Sequence, residues 1–109
     1  MYTIVYNADI QRRQPMILQQ HEVFSKWLKK QTVDVRTAVF MRLTRVAEGN
    51  IGDSKPVGDG VFELRIFHRP GYRIYYVTRG EEIIILLCAG DKSSQKSDIA
   101  KAKQLAKEV

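Results

Sequence analysis

No stretch of this chain restricts its fold more than FELRIFHRPGYRIYY, residues 62–76. Two alternating runs flank a turn-forming segment that carries Pro70 and Gly71, the pattern of a β-hairpin. Strand side chains alternate between faces, and residues directly opposed in an antiparallel pair share a face. Phe62, Leu64 and Ile66 therefore lie on one side of the first strand, with Glu63 and Arg65 on the other. Tyr72, Ile74 and Tyr76 share a side of the second strand, with Arg73, Tyr75 and Val77 on its reverse. Apolar meets apolar only across a loop with an odd number of residues, and Phe67 to Gly71 makes a loop of five. Ile66 then opposes Tyr72, Leu64 opposes Ile74 and Phe62 opposes Tyr76. A slip of one residue would turn core side chains toward charges and is strongly disfavoured.

The same register sets Arg65 across from Arg73, and Glu63 across from Tyr75. Like charges directly opposed destabilise a ladder, so this pair calls for an anion or a carboxylate between its guanidiniums. Glu63, on the same face as Arg65, is the internal candidate; a solvated face carrying one ion pair is the bland alternative. The third strand returns antiparallel and brings Gly90-Asp91-Lys92 to the end that holds the His68-Arg69 loop. Arg65, Arg73, Lys92 and Arg69, with His68 beside them, are expected to crowd one edge of the sheet. Two planar forks and an ammonium suit a phosphate whose oxygens gain charge.

At 109 residues the chain reads as one domain over 16–109, preceded by an extension over 1–15, with Met16 as an alternative start. Lys and Arg number 18 against 12 Asp and Glu, a formal charge of +6, which favours nucleic acid, a ribosome or an acidic protein as partner. The single cysteine, Cys88 in IIILLCA, reads as a buried small hydrophobe, which excludes a disulfide framework and suits a reducing cytosol. The N-terminus lacks the basic-then-apolar order of a signal peptide, and no apolar run reaches the roughly 18–20 residues of a membrane span. A cytoplasmic location without membrane contact is expected.

EVFSKWLKKQ carries Val23, Phe24, Trp27 and Leu28 on one helical stripe. DVRTAVFMRLTRVAEGN repeats the pattern with Val35, Val39, Leu43 and Val46, with Asp34 as its expected N-cap and Arg36, Arg42 and Arg45 off the stripe. A linker of three or four residues folds the two into a helical hairpin. GNIGDSKPVGDG, 49–60, reads as a turn-rich loop. VFELRI, YRIYYV and EIIILLCAG form an antiparallel meander whose last strand is covered on both faces. SSQKSDIAKAKQLAKEV is a helix with Ile99, Ala102, Leu105 and Ala106 inward. YTIVY and MILQQ are both candidate strands, and MILQQ suits a strand directly before the first helix.

KPVGDGVFELRI, PGYRIYY and LLCAGDKSSQKSDIAKAKQLA together resemble the addiction-module killer proteins of the RelE/HigB-like type II toxin superfamily, over the chain from Met16 onward. The resemblance implies a small α+β fold, with a helical hairpin packed on a twisted antiparallel sheet and a C-terminal helix. It further implies a metal-independent endoribonuclease that cuts mRNA in the ribosomal A site, restrained by a helix-turn-helix antitoxin. Arg73 of GYR matches the phosphate-binding arginine of the superfamily, Arg65 a basic strand residue, and Lys92 an arginine after the last strand. Glu63 stands where RelE has a lysine and Asp98 or its neighbours where RelE has a late tyrosine; of the histidines of HigB-type toxins only His68 has a counterpart. These departures bear on the acid–base assignment.

In such chemistry the 2′-OH attacks the adjacent phosphate in line and the 5′-oxygen leaves, which needs a base, an acid and surrounding cations. The arginines suit the charge, and Lys92, Tyr75 or His68 the protons, with neighbouring cations expected to lower the Lys92 and Tyr75 pKa values. Tyr75 could also stack on a base, and Arg69 and Lys96 could hold RNA phosphates. No metal site is expected, since His21 and His68 are far apart in sequence and one cysteine makes no cluster. No cofactor is expected either. Asp91 reads as a turn or capping residue, Ser93 and Ser94 as the start of the last helix, and Trp27, Tyr72 and Tyr76 as core. Two other functions fit the same fold: a ParE-like inhibitor of gyrase, and a non-catalytic co-repressor partner of the antitoxin.

Overall fold

The computed structural model describes residues 15–109. The expected extension and its YTIVY strand lie outside the described residues, apart from Pro15. The elements run β1 Ile17–Gln20, α1 Glu22–Lys29, α2 Val33–Ala47, β2 Ser54–Gly58, β3 Val61–Ile66, β4 Tyr72–Arg79, β5 Ile83–Asp91, a 3-10 turn Lys92–Ser94 and α3 Gln95–Ala106. The five strands are ordered β1-β5-β4-β3-β2. Helices cover both sides of this sheet, α1 and α2 one side and α3 the other, which is the expected α+β architecture.

The β3–β4 register is the one that loop parity imposes: Ile66 pairs with Tyr72, Leu64 with Ile74 and Phe62 with Tyr76. Leu64, Ile66, Ile74 and Tyr76 form a core with Phe24 of α1 and Val35, Val39 and Val46 of α2. Each such side chain, fully withdrawn from water, contributes about 1.5–3 kcal/mol before entropy is charged against it. Val61, Tyr75 and Val77 on the reverse face meet Ala102 and Leu105 of α3. Strand β5 serves both cores through a bulge. Tyr75 pairs with Cys88 while Tyr76 pairs with Leu86, so Leu87 is an extra residue. Leu87 and Cys88 both join the α3-side core, and Leu86 and Ala89 the other. An unbroken apolar run follows from that geometry.

Three features differ from the expectation. The turn-rich segment 49–60 contains β2, antiparallel to β3, with Lys55 opposite Glu63 and Pro56 opposite Phe62. Pro56 is tolerated because β2 is the outer strand, where a missing N–H breaks no second ladder. Strand β1 pairs parallel to β5, so one edge of the sheet is parallel. The second helix starts earlier than Asp34: Thr32 is the N-cap, its hydroxyl accepting the Val35 N–H at 3.3 Å, and Asp34 sits in the first turn, where its charge complements the helix dipole.

Arg42 is no solvated off-stripe residue. From α2 it donates through Nε to the Arg65 carbonyl at 3.1 Å and through Nη2 to the Ile51 carbonyl at 2.5 Å. The Arg65 N–H in turn donates to the Asp53 carbonyl at 3.0 Å. The backbone at Arg65 is thus fastened from two sides before any ligand is considered.

Candidate functional site

Arg65 and Arg73 face each other across β3 and β4, and Glu63 faces Tyr75, on the side of the sheet that α3 covers. The carboxylate of Glu63 is fully buried and lies within reach of all three cations of this face. Its Oε1 is 3.4 Å from Arg65 Nε, 3.7 Å from Arg73 Nε and 4.0 Å from Lys55 Nζ. Its Oε2 accepts from the Tyr75 hydroxyl at 3.1 Å and from Gln95 Nε2 at 2.9 Å. An isolated buried carboxylate would be untenable, and so would two unscreened guanidiniums in register; each resolves the other. Three cations around one carboxylate leave a formal +2.

Burial alone would raise the Glu63 pKa. Hydrogen bonds from Gln95, Tyr75 and Arg65, with the charge of Lys55, outweigh it and hold the group below the usual glutamate value. The Tyr75 hydroxyl moves the other way: burial first, then the adjacent Glu63 charge, push it well above the ordinary phenol, and Arg73 opposes this only weakly. The expected lowering of Tyr75 is therefore corrected, because the nearest charge is a carboxylate in a dry site. Its ring is fully buried among Val61, Leu87 and Ala102, so it offers no face to a base and the expected stacking is corrected too.

The two arginines retain outward access, with side chains 36% exposed at Arg65 and 14% at Arg73. Both meet Glu63 through Nε, and among the described residues no hydrogen bond engages their Nη nitrogens. Arg73 Nε is itself buried without a hydrogen-bond partner. The face therefore holds two forks whose inner atoms lie within ion-pair distance of one anion, Arg65 alone hydrogen-bonded to it, and whose outer atoms can take another.

The other candidates are placed less centrally. The Lys92 N–H donates to the Gly71 carbonyl at 3.1 Å, which brings its backbone to the Arg73 end of the sheet. The Lys92 side chain is exposed and makes no ion pair among the described residues. The His68 ring stacks on Tyr72 at 6.1 Å, and Tyr72 packs edge-on against Trp27, so the imidazole belongs to the α1 side and not to the Glu63 face. Arg69 lies exposed in the loop and Lys96 exposed in the first turn of α3. Asp91 is the expected capping residue, accepting the Ser93 N–H at 2.8 Å.

Lys55 and Gln95 escaped the sequence reading. Lys55 could have been found by extending the ladder to a third strand. Gln95 depends on Gly90, which pairs with Arg73. A Cβ at Gly90 would stand 1.9 Å from Asp98 Oδ2 and 2.6 Å from Ser94 Oγ, so a side chain there would force both of these groups to move. From the start of α3 Gln95 reaches Glu63.

The architecture is a RelE-like α+β fold. A mutant of the E. coli toxin RelE in the free state superposes with a TM-score of 0.66 at 19% identity, covering 83% of this chain and 95% of that one. RelE–RelB of E. coli, as the intact toxin–antitoxin complex, gives 0.57 at 18% identity over 70% of this chain and 95% of the matched chain. Residues 26–108 match the family described as Phage derived protein Gp49-like (DUF891), and the chain belongs to that family. An uncharacterized protein of Haemophilus influenzae is 45% identical over 87 residues, 79% of this chain and 88% of the relative. Among the described residues no helix is long and apolar enough to cross a membrane.

Proposed function

We propose that this protein is the toxin of a type II toxin–antitoxin module and a metal-independent endoribonuclease that cuts mRNA, with the ribosomal A site as its place of action in the cytoplasm. Its partner is a helix-turn-helix antitoxin. The observation that carries this reading is the facing pair Arg65–Arg73, with Glu63 beside both Nε atoms and, among the described residues, no hydrogen bond at either arginine's Nη nitrogens. Such a pair can bind a phosphodiester bidentately and stabilise the charge that builds on its oxygens as the 2′-OH attacks. Arginine stays protonated, so proton transfer falls to another group. Lys92 is the described candidate at the Arg73 end, with His68 across the rim. The RelE fold and the basic surplus of the chain support the same reading.

The test is induction in a bacterial host with mRNA 5′ ends mapped by primer extension. New ends inside translated codons are expected, and Arg73→Ala should abolish them. Intact mRNA with a DNA-damage response would favour a gyrase-directed toxin. A folded product that leaves growth and mRNA unchanged would favour a non-catalytic co-repressor.

A further inference from the structure

Glu63 is the one charged residue among those fully buried in the described chain, and proton transfer is not a task it can perform. Its Oε2 already accepts from Tyr75 and Gln95, its Oε1 faces Arg65, Arg73 and Lys55, and the residue has no exposed surface. A general base must come within hydrogen-bond reach of the hydroxyl it deprotonates, and Glu63 lies under the site instead of in it. What it does touch is the Nε side of both arginines. A guanidinium is planar with its donors in a fixed fork, so turning Nε toward a buried anion leaves the terminal Nη edge for a second one.

We propose that Glu63 is the positioning residue of this site: one buried carboxylate holds Arg65 and Arg73 by their Nε atoms so that both Nη edges meet the same RNA phosphodiester. This rests on the phosphate-binding role given to the arginine pair above. Without the anchor two long side chains would repel each other, and each would lose its rotamer freedom only when RNA arrives. With it, that ordering is complete before binding. The net +2 that remains is enough to attract a phosphodiester without displacing Glu63.

The experiment uses the full chain and a mixed-sequence RNA 12-mer, 2′-O-methylated throughout so that it cannot be cut. Affinity is read by fluorescence anisotropy for the wild type, Glu63→Gln and Arg73→Ala. Proton exchange at arginine Nε–H groups is read by NMR, with Arg42, bonded to the Arg65 carbonyl, as internal reference. Glu63→Gln keeps the shape of the side chain and removes its charge. It should weaken RNA binding by about 10–100-fold, by analogy with the loss when an outer-shell partner of a metal-binding residue is removed. Slow exchange should be lost at Arg65 and Arg73 and kept at Arg42, a pattern that general loosening of the fold would not give. A folded Glu63→Gln that binds as tightly as the wild type, beside an impaired Arg73→Ala, overturns the positioning role and leaves the phosphate site standing. Equal binding by Arg73→Ala and wild type overturns the phosphate site, and the positioning role with it. Should Glu63→Gln not fold, the wild type decides: fast exchange at Arg65 or Arg73 Nε overturns the proposal, and slow exchange at both supports it.

Discussion

Tyr75 separates two accounts of the site. The sequence alone offers it as a proton donor; the structure makes it a buried strut beneath the arginines. Tyr75→Phe removes one hydroxyl and leaves the ring among Val61, Leu87 and Ala102. The lost interaction is a hydrogen bond of 3.1 Å to a carboxylate. Bonds to charged groups contribute roughly 1.5–3 kcal/mol. Gln95 still donates to the same oxygen at 2.9 Å, so the lower half of that range applies, about 1.5–2 kcal/mol. For a domain near 100 residues each kcal/mol lowers Tm by roughly 4–8 °C, which sets the expected drop at about 6–16 °C. Differential scanning calorimetry measures the loss, and RNA cleavage per folded molecule, assayed well below the new Tm, measures activity. Activity should stay within about threefold of the wild type, whereas removal of a true general acid costs about 10²–10⁴ in rate. A cleavage defect of a hundredfold in a protein of unchanged Tm would refute the argument, because it would put the hydroxyl at the reacting atoms and not under them.

Two further outcomes follow from the same geometry. Gly90→Ala places a methyl group against Asp98 and Ser94, and urea denaturation should show a loss of about 1–3 kcal/mol from overpacking at the start of α3. The Glu63 pKa is lower in the folded chain than in the unfolded one, so its stabilising contribution is present above the ordinary glutamate value of about 4.3 and disappears as pH falls through the folded value. Acid unfolding followed by circular dichroism should therefore steepen below that pH in the wild type, and Glu63→Gln should flatten that limb.

The hairpin register was legible because parity decides it: an odd loop and two alternating strands admit one pairing that keeps apolar residues together. The arginine pair and its Glu63 counter-ion came with that register. Strand β2 was not legible, since Pro56 and the surrounding glycines signal a break, and only the position of that segment at the sheet edge makes a proline harmless there. Nor was the burial of Tyr75. Alternation assigns a residue to a face, but whether that face meets water is settled by where α3 lands, and α3 brings Asp98 and Ser94 close against Gly90. His68 lies in the loop beyond the ladder, where alternation carries no information, and its stacking on Tyr72 takes it to the Trp27 side.

The parallel pairing of β1 with β5 bears on the order in which the molecule can be built. Ile17 finds its partner at Ile83, so the outermost strand near the beginning of the described chain waits for one near its end. Contacts this distant along the sequence form late. The hairpin bearing Arg65 and Arg73 joins neighbours in sequence and can assemble early, yet Gln95 reaches Glu63 only once α3 has been synthesised. A chain folded only as far as β4 can thus bring Glu63 beside both arginines, while the second oxygen of that carboxylate still lacks the Gln95 donor.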